Sequence, residues 1–191
     1  MNKVAIIGCG GIGSYLFEFI NRSIMNKQLP SSIEFTAFDG DSVEHKNLTY
    51  QNFLIKDIAR NKASALASRY PMVTPVARFA TKEDLEKFDM SILCVDNNNL
   101  RQAALALYQE KAIDFIDLRA NGRMIGVYFP ENNYEKVTDF RITDSTSCQQ
   151  EYQMREQLVD YGNLIIASIG IQLIVNNHRG TLNRTNITLH I

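Results

Sequence analysis

VAIIGCGGIG, Val4 to Gly13, is the stretch whose reading decides the fold. Val4 to Ile7 is a short apolar run rich in β-branched residues, and it stops at glycine, as a buried parallel strand does. From Ile12 to about Met25, Ile12, Leu16, Phe19, Ile20 and Ile24 recur at helical spacing. The glycines between strand and helix fit G-x-G-x-x-G at Gly8, Gly10 and Gly13. In this context Gly8 permits the tight turn, Gly10 lets backbone approach an anion, and Gly13 lets the helix pack on the strand. Free N–H groups at the helix start then face negative charge. Gly8, Gly10, Gly11 and Gly13 are the candidate phosphate-binding positions.

Outward from this turn the chain alternates strand and helix. Ile33–Phe38 reads as a second strand ending at Asp39, and a polar segment runs from Gly40 to about Asn52. Asp57–Tyr70 reads as a helix. Met72–Phe79 reads as a third strand, placed near an edge by Pro75. Lys82–Lys87 reads as a helical turn, Met90–Val95 as a fourth buried strand, Leu100–Lys111 as a helix and Phe115–Leu118 as a fifth strand. Arg123–Phe129 reads as an antiparallel strand after the Ala120-Asn121-Gly122 turn, Asn163–Asn177 as a strongly apolar helix and Thr185–Ile191 as a final strand. The order predicts a Rossmann-like, doubly wound α/β fold: a mostly parallel sheet, helices on both faces and an antiparallel C-terminal edge. No repeat or linker divides the chain, so residues 1–191 are expected to form one domain.

Composition excludes several function classes. At 45% hydrophobic and 21% charged residues with a net charge of −1, the chain has no basic field to capture nucleic acid. No apolar run approaches the roughly 20 residues that span a bilayer. The chain enters a strand at Val4 without a basic, apolar leader, so a cytoplasmic location is expected. Cys9, Cys94 and Cys148 are odd in number and widely spaced, which argues against a disulfide framework or a zinc site. Cys9, inside the glycine loop, reads as a small residue filling space. The scattered His45, His178 and His190 form no metal spacing.

Asp39 ends the second strand, where a Rossmann fold places an acid on a ribose hydroxyl. NAD and ATP both carry that ribose, so Asp39 does not choose between them. The segment that follows, DGDSVEHKNLTYQNF (Asp39–Phe53), is longer and more polar than a dehydrogenase requires. Holding a triphosphate with Mg²⁺ calls for carboxylates on the metal and amide or basic groups on the phosphates. Asp41, Asn47, Gln51 and Lys62 supply such groups, and Asp96, at the C-terminal end of a strand, supplies a second acid. Each has a blander reading beside it. Lys62 could be an exposed helix lysine, and Asp96 a helix N-cap in competition with Asn97 and Asn98.

The ordered series GCGGIG, DGD-x-VE-x-x-NL-x-x-Q, NKA and VDNNNLR resembles the ThiF/MoeB/HesA superfamily, which includes ubiquitin-activating enzymes. The likeness runs from Val4 to about Arg101 and continues more faintly through Asn121-Gly122-Arg123 and the apolar helix. The resemblance implies a domain that binds ATP and Mg²⁺ and adenylates a carboxylate, giving acyl-adenylate and pyrophosphate. The substrate implied is the C-terminus of a small ubiquitin-like or sulfur-carrier protein, and the assembly a homodimer or heterodimer. It gives Asp39 the ribose, Asp41 a place by metal and phosphates, Asn47 and Gln51 the phosphate region, and Lys62 the triphosphate charge. Asp96 would coordinate Mg²⁺ as catalytic acid, while Asn97 and Arg101 shape the loop. Residues 130–150 correspond to a crossover loop, in which Cys148 is a candidate thiol nucleophile, with a plain loop cysteine as the alternative.

Two departures matter. Tyr50 stands where the family usually has an arginine, and a phenol gives no bidentate charged contact to phosphate. An N-terminal helix that lends an arginine across many of the family's dimers is not expected before the first strand here. Lys46, Arg60 and Arg101 are the cations that could compensate. A nucleotide-binding scaffold with weakened catalysis is therefore the second expectation, and an NAD-dependent oxidoreductase the third.

Overall fold

The computed structural model describes residues 1–132, 134 and 161–191. Seven strands form one sheet in the order β3-β2-β1-β4-β5-β6-β7. They are β1 (Lys3–Ile7), β2 (Glu34–Phe38), β3 (Val73–Val76), β4 (Met90–Leu93), β5 (Asp114–Asn121), β6 (Met124–Tyr128) and β7 (Ile187–His190). The pairs among β1 to β5 are parallel, and β6 and β7 join antiparallel at the C-terminal edge. This is the doubly wound α/β arrangement expected from the sequence. Pro75 lies on edge strand β3, where its missing N–H costs no interior ladder bond.

The helices are α1 (Gly13–Met25), α2 (Lys62–Ala67), α3 (Lys82–Leu85), α4 (Asn98–Gln109) and α5 (Gly162–His178). They cover both faces because the central strands are apolar on both. Val4 and Ile6 of β1 pack with α1, α2 and α5, whereas Ala5 and Ile7 pack with α3 and α4. The small side of α5 makes close approach possible: a Cβ on Gly170 would stand 2.5 Å from Leu118. Gly122 turns the β5–β6 hairpin at φ +58°.

The order of winding reverses between the parallel strands β1 and β4. From β1 the sheet builds one way through β2 and β3, and the other way through β4 and β5. That is the switch point of an open α/β sheet, with its crevice at the carboxyl ends of the strands. The glycine turn leaves β1 there, and Asp96 follows β4.

One expected helix is much shorter than its sequence pattern. Asp57–Tyr70 is not continuous: a 3₁₀ turn at Ile55–Asp57 ends, Ala59 adopts φ +65°, and α2 begins only at Lys62. The cause is a competing pairing. Ala59 N–H donates to Val43 O, Val43 N–H donates to Arg60 O, and Ser42 bridges to Asn61. Asn61 Oδ1 then caps α2 by accepting from Ser64 N–H at 3.0 Å. The consequence is positional: Lys62 sits at the first turn of a helix pinned to the polar segment.

Candidate functional site

The glycine turn is built around three separate constraints. Gly8 adopts φ +93°, which favours glycine. A Cβ on Gly13 would lie 1.9 Å from the Gly8 carbonyl oxygen, so only glycine lets α1 start so close to β1. Gly10 is different: a Cβ there would meet nothing within 4 Å among the described residues. Protein packing does not demand glycine at this position; the open space in front of it does, if another group is to approach the backbone.

Asp39 organises the rim of that space. Its Oδ2 accepts from Cys9 N–H at 2.7 Å and its Oδ1 from Asp41 N–H at 2.8 Å. Burial pushes its carboxyl above the usual aspartate range, against the pull of those two N–H groups and Lys62. Lys62 Nζ donates to Asp41 Oδ2 at 2.9 Å, and Lys62 N–H donates to Asp41 O at 2.9 Å. Burial works against the Lys62 charge, but the hydrogen bond to Asp41 and the field of Asp39 outweigh it and hold the ammonium above the ordinary lysine range. Asn61 Nδ2 donates to the carbonyls of Asp39 and Asp41, closing the same corner. The structure thus brings Asp39, Asp41 and Lys62 together beside the glycine turn.

Asp96 stands apart from that trio. It is exposed and joins none of their hydrogen bonds or ion pairs among the described residues. It is nonetheless next to the turn, because a Cβ on Gly8 would meet Cys94 O at 2.7 Å and Val95 Cγ1 at 2.9 Å. It does not cap α4; Asn97 does, its Oδ1 accepting from Asn99 N–H at 2.9 Å and Leu100 N–H at 3.2 Å. Among the described residues no hydrogen bond or ion pair engages the Asp96 carboxylate. Among the described residues no three His, Cys, Asp or Glu side chains gather around one point. A cation here would be held by one or two carboxylates and the oxygens of a ligand, which is how Mg²⁺ binds with phosphates.

Asn47 and Gln51 are both buried on the polar segment. Asn47 Oδ1 accepts from Glu44 N–H at 2.8 Å and so fixes the 3₁₀ turn His45–Thr49, while Asn47 O accepts from Gln51 N–H at 3.0 Å. Gln51 Oε1 is buried without a partner among the described residues. Tyr50 is buried, within Coulombic reach of Lys62 and Lys46. The cations that could replace the missing arginine are engaged elsewhere. Arg60 pairs with Asp57, Lys46 with Glu44, and buried Arg101 with Asp117, Asn98 and the Val95 carbonyl.

Cys9 is fully buried, and burial raises its thiol well above the usual range, with Asp39 adding to the effect. That fits a space-filling residue. Cys148 and most of the expected crossover loop lie outside the described residues.

Two residues at the site were not singled out by sequence. Phe79, past the carboxyl end of β3, is 67% exposed, and a Cβ on Gly40 would come within 2.7 Å of its ring. The Phe79 ring therefore stands against Gly40 in the Asp39–Asp41 turn. Asn163, in the first turn of α5, is buried against Gly11. The apolar signal of that helix masks the asparagine at its start.

The ThiF family model matches residues 1–176. Among solved structures, PaaA in selenomethionine form superposes with a TM-score of 0.69 at 21% identity, covering 100% of this chain and 61% of PaaA. MccB of E. coli with ATP superposes with a TM-score of 0.69 at 19% identity, covering 100% of this chain and 60% of MccB. The Microcin C7 biosynthetic enzyme MccB in complex with N-formylated MccA gives a TM-score of 0.69 at 20% identity, with 100% and 62% coverage. The chain thus spans about three fifths of the length of these structures, and the likeness is one of fold. No curated protein matches the sequence.

Proposed function

The chain belongs to the ThiF family, and on that premise we propose that it is an ATP-dependent adenylating enzyme acting on a carboxylate, with the C-terminus of a small ubiquitin-like or sulfur-carrier protein as substrate. The observation that carries this reading is the open space before Gly10, rimmed by Asp39, Asp41 and Lys62. A backbone left accessible by glycine, next to a buried acid and a charged lysine, suits a ribose on one side and a phosphate chain on the other.

In this reading Asp39 accepts hydrogen bonds from the ribose hydroxyls, and Phe79 offers the base an aromatic face. The N–H groups of the glycine turn and Lys62 neutralise the phosphates, with Asn47 and Gln51 lining the same region. The substrate carboxylate oxygen attacks the α-phosphorus. The bond from that phosphorus to the bridging oxygen breaks, and pyrophosphate leaves with the electron pair. The nucleophile belongs to the substrate, so the protein's part is positioning and charge neutralisation. Asp41 and Asp96 would hold Mg²⁺, which offsets phosphate charge when bound. The fold likeness to MccB, solved with ATP and with N-formylated MccA, supports a nucleotide and a chain-like substrate on this scaffold. A dimer is proposed on family grounds alone.

The test is pyrophosphate exchange. Radiolabelled pyrophosphate should enter ATP only when Mg²⁺ and a carrier protein with a free C-terminal carboxylate are present; an amidated C-terminus should give none. One observation favours a second reading, a nucleotide-binding scaffold. Tyr50 is buried where the family places an arginine, and Arg60 and Arg101 are tied to carboxylates. Tight MgATP binding without exchange would select it. Better protection from heat by NAD than by MgATP would select an oxidoreductase instead.

A further inference from the structure

Asn163 carries more than its place in an apolar helix explains. It is 2% exposed, and both its Nδ2 and its Oδ1 are buried without a hydrogen-bond partner among the described residues. Buried polar groups are almost always paired, and an unpaired one is costly in a folded core. A hydrophobic residue of similar shape would suit the surrounding α1–α5 packing better.

The position of the amide is tightly fixed. A Cβ on neighbouring Gly162 would stand 2.2 Å from the Gly122 carbonyl, so the first turn of α5 is pressed onto the β5–β6 turn and has no slack. In front of the amide is Gly11. A Cβ there would come within 2.6 Å of Asn163 Nδ2 and 2.7 Å of Oδ1. The carboxamide therefore lies directly behind the glycine turn, on the closed side, while the open space lies before Gly10.

The turn is fixed at Gly10, whose carbonyl accepts from Ser14 N–H at 3.0 Å, and less firmly at Gly11. Among the described residues the Gly11 carbonyl accepts a long 3.4 Å contact from the Ser14 hydroxyl, which also accepts from Asn52 N–H at 3.0 Å. A peptide plane carries its N–H and C=O on opposite edges. Turning N–H groups of the loop outward to an anion swings the matching carbonyls inward, toward Asn163.

We propose that Asn163 is a positioning residue of the glycine turn: its carboxamide pairs with the Gly11 backbone when the turn presents its N–H groups to a bound triphosphate. The inference rests on the reading of the site as a nucleotide site. It assigns the stability lost to an unpaired amide in the free protein to a hydrogen bond regained on binding. Asn163 touches no substrate in this role; it acts through the loop.

Asn163→Leu, with Asn163→Ala as a second variant, separates this role from a structural one. Melting temperature without ligand and the Kd of MgATP and of magnesium tripolyphosphate are measured on the full chain. The unliganded melting temperature of Asn163→Leu should equal or exceed that of the wild type. Both Kd values should rise about fivefold to tenfold, the scale of one hydrogen bond, and by the same factor because tripolyphosphate has no base. Unchanged Kd values in both variants overturn the proposal, whether the melting temperature rises or falls. If Asn163→Leu does not fold, Asn163→Ala decides by its Kd values alone. If the wild type binds neither ligand, it is the nucleotide reading itself that fails, and this inference with it.

Discussion

Gly10→Ala and Gly13→Ala should behave in opposite ways, although both replace a glycine of the same motif. At Gly13 the new Cβ would start 1.9 Å from the Gly8 carbonyl oxygen. Backbone must separate by about an ångström to restore even a tight contact, and overpacking of that kind costs on the order of 1–3 kcal/mol or more. For a chain of this size each kcal/mol moves Tm by roughly 2–4 °C, so Gly13→Ala should melt several degrees lower. At Gly10 the Cβ meets nothing among the described residues, and φ is not in the left-handed region. There alanine only narrows the unfolded ensemble, which stabilises by roughly 0.4–1 kcal/mol and leaves Tm unchanged or slightly higher. The cost appears with ligand. At one hundred times its Kd, MgATP should stabilise the wild type by about 2.7 kcal/mol. In Gly10→Ala the Cβ occupies the space the phosphate needs, and that gain should vanish. Thermal unfolding with and without MgATP reads both effects. A Gly10→Ala protein that keeps the full ligand shift would refute the reasoning, because the open space would then not be where phosphate sits.

Lys62→Met should leave stability within about 1 kcal/mol of wild type, because the partner carboxylate of Asp41 is 54% exposed and such pairs contribute little. Its pyrophosphate exchange should fall by about 10²-fold or more, the scale of a lost charge at a phosphoryl transition state; a variant with wild-type exchange removes Lys62 from the site. Phe79→Trp would install the only tryptophan, since the chain has none. Its emission should be quenched by MgATP and not by magnesium tripolyphosphate, and equal responses would detach Phe79 from the base. Asp39 is held above the usual aspartate range by burial, so its folded form gains a proton before an ordinary aspartate does. MgATP affinity should therefore fall with acidification through a midpoint above that of an ordinary aspartate, in a step that Asp39→Asn lacks. By the same sign, the Asp39 contribution to stability is full below its unfolded pKa and is lost as pH rises through its folded one.

Much of the fold was legible because strong local signals agreed with the tertiary outcome. β1, α1, β4, α4 and α5 each combine apolar periodicity with a clean glycine, asparagine or acidic boundary, and each is found within a few residues of its expected place. Asp57–Tyr70 was misjudged because its helical periodicity is real, yet Ser42 and Val43 pair with 59–61 and break it. No local pattern announces a partner fifteen or more residues away. The same limit hid Asn163 and Phe79. One asparagine at the head of an apolar helix and one phenylalanine after a strand carry no motif, and only packing against Gly11 and Gly40 gives them meaning. Asp96 could be separated from its capping rival only by seeing Asn97 Oδ1 already on the α4 N–H groups.

The state of Lys62 in the free protein bears on how the site would be loaded. Its charge is already matched by Asp41, which is tied through its own N–H to Asp39. A triphosphate entering before Gly10 would compete with Asp41 for that ammonium. The competition is easy, because an ion pair half in solvent is worth little, whereas a phosphate chain meets Lys62 and the turn's N–H groups together. Asp41 displaced from Lys62 would be left with an unpaired carboxylate beside the phosphates, the condition under which a hard divalent cation binds best. In the proposed function the pair at rest would then be a placeholder: it would keep a mostly buried lysine charged until phosphate takes over, and would free its acid for the metal in the same exchange.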